Sequence, residues 1–212
     1  MGESVTKLRR RGYSQLPSLG PVEDTQEIVV GSLIQSLGRL EAPQSDADIM
    51  EILERILMSA LITVHAKDGS LLVRDDDTNE LVFAIVQGER PNNALLWRKI
   101  PPGKGIASWV AEHRCAAIVN DTGEDSRFYG GLDQELAYAT HSILAAPIVF
   151  GDELLGVIEV LNKRNSEPFN ERDKDRLTEL CNVAGEILGA MIRQMGRDDG
   201  PARIDPVGAR AC

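Results

Sequence analysis

The sequence contains one arrangement that could activate a nucleophile, His113-Arg114-Cys115. A cation beside a thiol favours the thiolate, which is the reactive form. A lone cysteine that enters a strand is, however, more often a small core residue. The three cysteines, Cys115, Cys181 and Cys212, are odd in number and scattered, which is typical of reduced thiols rather than a disulfide framework. Thiol chemistry at Cys115 is therefore an alternative and not the leading interpretation.

An acidic loop offers a second kind of chemistry, calcium binding. Asp75, Asp77 and Asn79 have the spacing of the first three ligands of an EF-hand loop. The sixth position of such a loop is glycine and the twelfth is glutamate, but this chain has Glu80 and Val86 there. We therefore predict no calcium site, and no site for any other metal.

Motifs of the common enzyme classes are missing. The chain has no Gly-x-Ser-x-Gly, His-Glu-x-x-His, Gly-x-x-x-x-Gly-Lys-Ser/Thr or Cys-x-x-Cys segment. The three histidines, His65, His113 and His141, are far apart in the sequence. These observations predict a binding module rather than an enzyme.

Lys163 and Asp173 are charged residues whose positions indicate a specific contact. Lys163 follows an apolar run that should be a strand, and Asp173 lies in the first turn of a helix capped by Asn170. A pair between the two charges would fasten the strand to the helix. Ion pairs fix geometry more often than they do chemistry, so we predict a structural role for this pair.

The elements that must position these residues follow from the apolar periodicity. Two apolar runs, Ile143–Phe150 and residues 154–161, flank Gly151 and Asp152 and predict an antiparallel hairpin. The other predicted elements are helices at 46–66, 103–114, 133–139 and 170–195, and strands at 70–75, 81–87 and 116–119.

The last predicted helix carries an apolar stripe that recurs at alternating steps of four and three residues. A stripe of this width can pack on its own domain on one side and meet a partner helix on the other. The stripe consists of Leu177, Cys181, Ala184, Leu188, Met191 and Met195, with Leu180 and Ile187 beside it.

The segment around the predicted ion pair resembles a known motif. Asn162-Lys163, followed by Phe169-x-x-x-Asp173, is similar to the Asn-Lys…Phe-x-x-x-Asp-Glu motif of GAF domains. These domains are small-molecule sensor modules of cyclic-nucleotide phosphodiesterases, adenylyl cyclases and many bacterial regulators. One position departs from the motif, because Lys174 replaces its final glutamate.

The resemblance covers residues 45–195 and includes the segments 100–114, 119–133 and 139–148. It implies an α+β fold, a single GAF domain with a central antiparallel β-sheet. Dimerising helices would lie on one face of the sheet. A ligand pocket would lie under short helices on the other face.

The resemblance also implies a ligand site like that of phosphodiesterase GAF domains that hold a cyclic nucleotide. The backbone at Ile106 and Ala107 would meet the phosphate and the base, and Glu159 would face the pocket from a strand. A helix N-terminus can bind a phosphate without a bulky cation. The implied ligand-binding residues are Ser70, Val86, Gln87, Ile106, Ala107, Tyr129, Asp133, Thr140 and Glu159.

Three positions depart from that family pattern. Val86 replaces a side chain that is often larger, Gln87 replaces an aspartate, and Leu136 replaces a threonine near the phosphate. The amide of Gln87 could read either a guanine or an adenine edge. The choice between cAMP and cGMP therefore stays open, and no fixed cofactor is predicted.

Composition along the chain predicts four parts. Residues 1–21 should be a flexible basic arm, and residues 22–41 a dimerisation helix with Val30, Leu33, Leu37 and Leu40 on one side. The GAF domain itself should span 45–195, and residues 196–212 should form a disordered tail. Met1-Gly2 with Thr6 matches a loose N-myristoylation pattern, so the arm is either a lipid anchor or a basic tail.

The charge of the 212-residue chain limits its partners. Its formal net charge is −10, its pI is near 4.8, and only 4% of its residues are aromatic. Nucleic-acid binding depends on a basic surface, so no nucleic-acid partner is expected. No apolar run reaches the roughly 18 residues of a membrane span, and no signal peptide is visible. The sequence predicts a cytoplasmic protein without a membrane partner.

These observations predict a non-enzymatic sensor that binds a cyclic nucleotide, cAMP or cGMP, and signals through a homodimer or an unidentified output protein. That output protein could be a kinase, a cyclase or a transcription regulator. Two alternatives stay open. One is a ligand-free GAF interaction scaffold, and the other is a thiol-based redox enzyme that uses Cys115.

Overall fold

The computed structural model describes residues 46–90 and 93–197. The predictions for residues 1–21 and 22–41 lie outside these ranges, as does that for the tail at 196–212 except for its first two residues, which continue the last helix. Two short 3₁₀ turns, Asn93–Leu95 and Arg164–Ser166, accompany the main elements. In chain order these elements are α1 (Asp46–Thr63), β1 (Ala66–Arg74), β2 (Leu81–Gly88), β3 (Lys99–Ile100), α2 (Gly105–His113), β4 (Ala117–Val119), α3 (Gly131–Leu136), β5 (Ile143–Phe150), β6 (Glu153–Lys163) and α4 (Glu171–Arg197).

The six strands form one sheet in the order β3-β2-β1-β6-β5-β4, and all neighbouring strands are antiparallel. The hairpin predicted at 143–161 is confirmed, since Phe150 in β5 pairs with Glu153 in β6 across a two-residue turn. Gly151 in that turn has a φ of 57°, a left-handed conformation that glycine adopts without strain. β1 and β6 lie at the centre, so they carry side chains to both faces of the sheet.

Helices cover both faces of the sheet, and the sheet separates two apolar clusters. On one face, α1 and α4 bury Ile56, Leu57 and Leu177 against the strands. On the other face, α2 buries Ile106 and Val110. The fold is therefore α+β with an antiparallel sheet between two helical layers, as the sequence predicted. Within the described ranges no helix combines the length and the apolarity that crossing a bilayer requires.

The apolar stripe of α4 packs into its own domain. Leu177, Cys181, Ala184, Leu188 and Met191 are all buried in the core that α4 shares with α1 and the sheet. The expectation that this stripe also forms a dimer interface is therefore wrong for these residues. Among the large apolar side chains described on α4, Ile192 remains exposed.

Two glycines allow α4 to approach the sheet this closely. A Cβ atom at Gly185 would overlap the carbonyl oxygen of Val149, and one at Gly189 would overlap the ring of Phe150. The small residues on α4 therefore serve packing against β5. The sequence pattern alone could not distinguish packing of α4 against its own sheet from packing against a second chain.

The start of β1 differs from the prediction. The helix was expected to reach residue 66 and the strand to begin at residue 70, but α1 ends at Thr63 and β1 begins at Ala66. His65 turns the chain with a φ of 54°, and Ala66 pairs with Lys163 of β6. Residues 66–69 are Ala-Lys-Asp-Gly, which carry no apolar periodicity that would mark them as a strand. The long-range pairing with β6 decides for the strand here.

Candidate functional site

A cavity of about 830 Å³, including its open mouth, lies between the sheet and the layer that contains α2 and α3. Its wall is mostly apolar and includes Phe83, Leu95 and Leu132. A few polar groups converge in it. Sites for small molecules in proteins typically have this mixture of surfaces.

The N-terminus of α2 forms one end of the cavity. Gly103 and Gly105 enter the helix with φ values of 77° and 80°, a backbone conformation that strongly favours glycine. The Gly103 N–H donates to Oγ of Ser108 over 2.6 Å and holds the turn. The first turn of α2 thereby presents Ile106 and Ala107 to the cavity, and both are buried. N–H groups of a first helical turn have no partner within their helix, so they are available to other acceptors.

Glu159 supplies a carboxyl group inside the cavity, from the central strand β6. Its cross-strand neighbours are Ser70 in β1 and Ala145 in β5, and its side chain accepts a hydrogen bond from the backbone of Ala107. The residue is 9% exposed. Burial raises the pKa of Glu159 from 4.5 to about 7, although the bond from Ala107 opposes this shift.

Ser70 places a hydroxyl beside this carboxyl. It is 4% exposed and lines the cavity. Its hydroxyl forms no hydrogen bond with another residue in the described part of the chain. The oxygen is not sealed in the core but is open to the cavity, where water or a ligand can bind it. Ser70 is therefore a strong candidate for a ligand contact.

Asp133 and Thr140 bond to each other. The Thr140 backbone N–H donates to Oδ2 of Asp133 over 2.7 Å, and its hydroxyl donates to Oδ1 over 2.9 Å. Both residues line the cavity, but their polar atoms are occupied by this contact. The pair fixes α3 to the start of β5. It holds the helix that covers the site.

A second polar network joins three elements around the same wall. The Tyr138 hydroxyl donates to Oδ2 of Asp68 over 2.6 Å and accepts from Nδ2 of Asn162 over 3.0 Å. The Arg90 backbone N–H donates to Oδ1 of Asp68 over 2.7 Å. Burial and the Asp68 carboxylate raise the pKa of Tyr138, so its hydroxyl remains a donor at neutral pH.

Sequence reasoning missed Asp68 and Tyr138, and both line the cavity. Asp68 lies two residues before Ser70 and therefore on the same face of β1. A prediction that started this strand at Ala66 would have placed it in the site. No comparable signal marks Tyr138, because its contacts come from distant segments of the chain.

The covering segments are also tied together at the surface. Arg98 forms two hydrogen bonds of 2.6 and 2.5 Å with the carboxylate of Glu135 on α3. Tyr129 is 46% exposed at the mouth of the cavity, with the Lys104 ammonium 5.3 Å from its ring centre. Exposed ion pairs contribute little to stability, so the Arg98–Glu135 contact holds the covering segments only weakly.

Eight of the nine implied ligand residues line the cavity, and Gln87 does not. Val86 lines the cavity, and Gln87 follows it in the same strand. Successive side chains of a strand point to opposite faces, so Gln87 points to the face of α1 and α4. The structure therefore does not bring this amide to the site as a base reader. For the other eight residues, ligand contact remains a prediction.

The motif residues lie outside the lining of the cavity and hold the fold. The expected pair is present, with Nζ of Lys163 2.6 Å from Oδ2 of Asp173 and both side chains less than 10% exposed. Asn170 and Asp173 cap α4 through reciprocal backbone bonds of 3.0 and 3.1 Å. Asn120 holds the buried Phe169 by two further bonds, of 2.8 and 3.0 Å.

The two cysteines in the described ranges, Cys115 and Cys181, do not line the cavity. Cys181 is buried in the core on the opposite face of the sheet. Cys115 is disulfide-bonded, so the expectation of a reduced thiol is wrong at this position. Within the described ranges, histidine, cysteine and acidic side chains also form no cluster suited to a metal ion.

Comparison with known families agrees with this architecture. A family model for the GAF domain matches residues 46–188, which is more than half of the chain. The chain belongs to the GAF domain family. The match begins with α1 and ends within α4, so it contains the whole sheet and the cavity of this GAF domain.

Curated relatives of this GAF domain include cGMP-specific 3′,5′-cyclic phosphodiesterases. The protein of Drosophila melanogaster is 30% identical over 180 residues, which cover 78% of this chain and 16% of the relative. That of Drosophila mojavensis is 28% identical over 184 residues, which cover 80% of this chain and 16% of the relative. This chain thus spans only a small part of the length of these phosphodiesterases.

Solved structures show the same fold. The GAF domain of a phosphoenolpyruvate-protein phosphotransferase from Coxiella burnetii has a TM-score of 0.66 and 20% identity, covering 80% of this chain and 96% of that one. Free methionine-R-sulfoxide reductase from Neisseria meningitidis, in complex with its substrate, has a TM-score of 0.65 and 16% identity, covering 85% and 98%. At these identities the likeness concerns the fold alone.

Proposed function

We propose that this GAF domain is a non-enzymatic sensor that binds a cyclic nucleotide, cAMP or cGMP, in the cavity between the sheet and α2. The observation that carries the proposal is the cavity itself. It combines a mostly apolar wall with a few inward polar groups, which include Ser70 and Glu159. The similarity to cGMP-specific phosphodiesterases supports a nucleotide over other small molecules.

The site favours binding over catalysis. Asp68 and Asp133 could act as bases, but their carboxylate oxygens accept hydrogen bonds from neighbouring residues. Thiol chemistry has no support in the described lining, which contains no cysteine. What remains is an apolar slot in which polar contacts orient a ligand.

The first prediction concerns Ser70. Calorimetry with the full chain should detect binding of cAMP or cGMP, and Ser70→Ala should weaken that binding about three- to tenfold. The physical reason is the loss of one hydrogen bond inside a buried cavity, which is worth about 0.5–1.5 kcal/mol. Removing a hydroxyl that has no protein partner should leave the melting temperature unchanged or slightly raised.

Ser59→Ala is a matched control, because Ser59 is buried on α1 and bonds within its own helix. This control should keep wild-type affinity. Absence of binding at millimolar cAMP and cGMP would contradict the sensor proposal. A thermal shift with free methionine sulfoxide alone would favour the redox alternative, since a ligand stabilises the state that binds it.

The second prediction concerns the output, which under this proposal passes through a homodimer that contacts an output protein. The dimer should be held by residues 22–41, because the stripe of α4 is already buried in its own domain. Light scattering on the full chain should show the mass of two 23.2 kDa chains. Leu33→Asp together with Leu37→Asp should give the mass of one chain with the GAF domain still folded. A wild-type monomer at micromolar concentration would rule out the dimer.

A further inference from the structure

The carboxyl group of Glu159 occupies the position in the cavity where an anion would be expected to bind. The first turn of α2 carries free N–H groups and the positive end of the helix dipole, which together attract anions. The Ala107 backbone already hydrogen-bonds Glu159 there. The protein thus places its own acidic group at the end of the cavity that suits a phosphate.

A hydroxyl that can bind a polar ligand lies beside this carboxyl in the cavity. Ser70 pairs with Glu159 across β1 and β6 and is 4% exposed. It finds no hydrogen-bond partner among the described residues, although it lines the same cavity. A hydroxyl and a carboxyl therefore lie side by side on adjacent strands and face the same cavity.

Other charged groups around the cavity do not neutralise Glu159. Asp68 on β1 is bonded to Tyr138 and to the Arg90 backbone, and Asp133 on α3 is bonded to Thr140. Tyr138 stays a neutral hydroxyl, because its pKa is raised. On β5 the residue that pairs with Glu159 is Ala145, which carries no charge.

Two cations lie near the mouth. Lys104, which precedes α2, faces the ring of Tyr129. Arg90 lies two residues after β2 and is exposed. Among the described residues that line the cavity, it is the one with a cationic side chain. Neither cation forms an ion pair with Glu159 in the described part of the chain.

We propose that Glu159 makes ligand choice depend on a proton: a nucleotide with a negatively charged cyclic phosphate binds when the Glu159 carboxyl is neutral, whereas an uncharged nucleoside binds without regard to that proton. This inference rests on the proposed nucleotide-binding function. It identifies Glu159 as the residue that determines specificity for ligand charge.

The protonation state of Glu159 changes within the physiological range. Burial raises its pKa to about 7, so the carboxyl is neutral at pH 6 and mostly ionised at pH 8. A bound anion nearby raises the pKa further, and binding above pH 7 therefore takes up a proton. Affinity for an anion should be highest below pH 6 and should fall at most about tenfold per pH unit above 7.

Calorimetry on the full chain at pH 6 and pH 8 tests this inference. Binding of cAMP and cGMP should be about tenfold weaker at pH 8. Adenosine and guanosine, which lack the phosphate, should bind equally at both pH values. At pH 8 the heat of binding cAMP should change between phosphate and Tris buffers, because a proton is taken from the buffer.

Two variants assign the effect to one residue. Glu159→Gln keeps an acceptor for the Ala107 N–H but cannot ionise, so its affinity for cyclic nucleotides should not change with pH. Glu153→Gln, an exposed position on the same strand, should keep the wild-type dependence.

If the wild type bound each cyclic nucleotide with the same affinity at pH 6 and at pH 8, the inference would be overturned. The sensor function would still stand. Weakening of nucleosides and nucleotides alike at pH 8 would also overturn it, because the effect would then not depend on ligand charge. If neither class of ligand binds at millimolar concentration, the proposed function fails and this inference fails with it.

Discussion

Asp173→Ala is expected to lower the free energy of unfolding by about 3–5 kcal/mol, since it leaves the Lys163 ammonium buried without its partner. Nζ of Lys163 lies 2.6 Å from Oδ2 of Asp173, and the two side chains are 8% and 6% exposed. The same Oδ2 accepts the Asn170 N–H at the start of α4, so the substitution also removes a helix cap. Urea unfolding followed by circular dichroism measures this loss.

Glu171→Ala is the matched control, because Glu171 is a carboxylate in the same helical turn that pairs with Lys174 at the surface. Its loss should cost at most about 1 kcal/mol. A second variant, Lys163→Met with Asp173→Leu, removes both charges and should recover much of the lost stability. If Asp173→Ala were no more destabilising than Glu171→Ala, the pair would be accessible to water and the proposed structural role of the motif would be wrong.

Glu159→Gln should become more stable relative to the wild type by about 2–3 kcal/mol as the pH rises from 5 to 8. In the folded chain the pKa of Glu159 is raised to about 7, whereas in the unfolded chain it returns to near 4.5. The neutral carboxyl's contribution to the free energy of unfolding is fully present below pH 4.5, and it is lost as the pH rises through 7. Above pH 7 the folded wild type holds a buried charge, which glutamine avoids.

Other groups also titrate between pH 5 and 8, so the informative quantity is the difference between variant and wild type at each pH. Thermal or urea unfolding at four pH values provides it. Glu153→Gln should show a difference that does not change with pH. A flat difference for Glu159→Gln would show that water or a neighbouring cation stabilises the ionised carboxyl, and it would remove the basis for proton-linked ligand choice.

These experiments separate stability from recognition at two positions of one strand, β6. Lys163 belongs to β6 at the point where the strand reaches α4, and Glu159 lies four residues earlier in the same strand. Loss of the Lys163–Asp173 pair should lower the free energy of unfolding and should not change the pH dependence of ligand binding. Glu159→Gln should change the pH dependence of ligand binding while the fold remains intact.

Much of the fold could be predicted from local patterns. The hairpin of β5 and β6 was evident from two apolar runs and a Gly-Asp turn, and the cap of α4 from Asn170 and Asp173. These signals lie within a few residues of one another, so their physics does not depend on the rest of the chain. The ion pair between Lys163 and Asp173 followed from the same short segment.

The composition of the cavity could be predicted only in part. The implied residues Ser70, Glu159 and Ala107 lie together because β1, β6 and α2 meet there. Gln87 was misplaced because the pleat of β2 turns it away from Val86. Asp68 and Tyr138 were missed because their hydrogen bond joins residues 70 positions apart.

Sequence alone determined the order of the elements, the apolar faces and the motif that joins β6 to α4, since each arises from residues close together in the chain. Tertiary structure decided which surface each apolar face covers. It buried the stripe of α4 in its own domain, where Gly185 and Gly189 admit the sheet. It also enclosed Glu159 beneath the N-terminus of α2, where removal from water rather than sequence context raises its pKa.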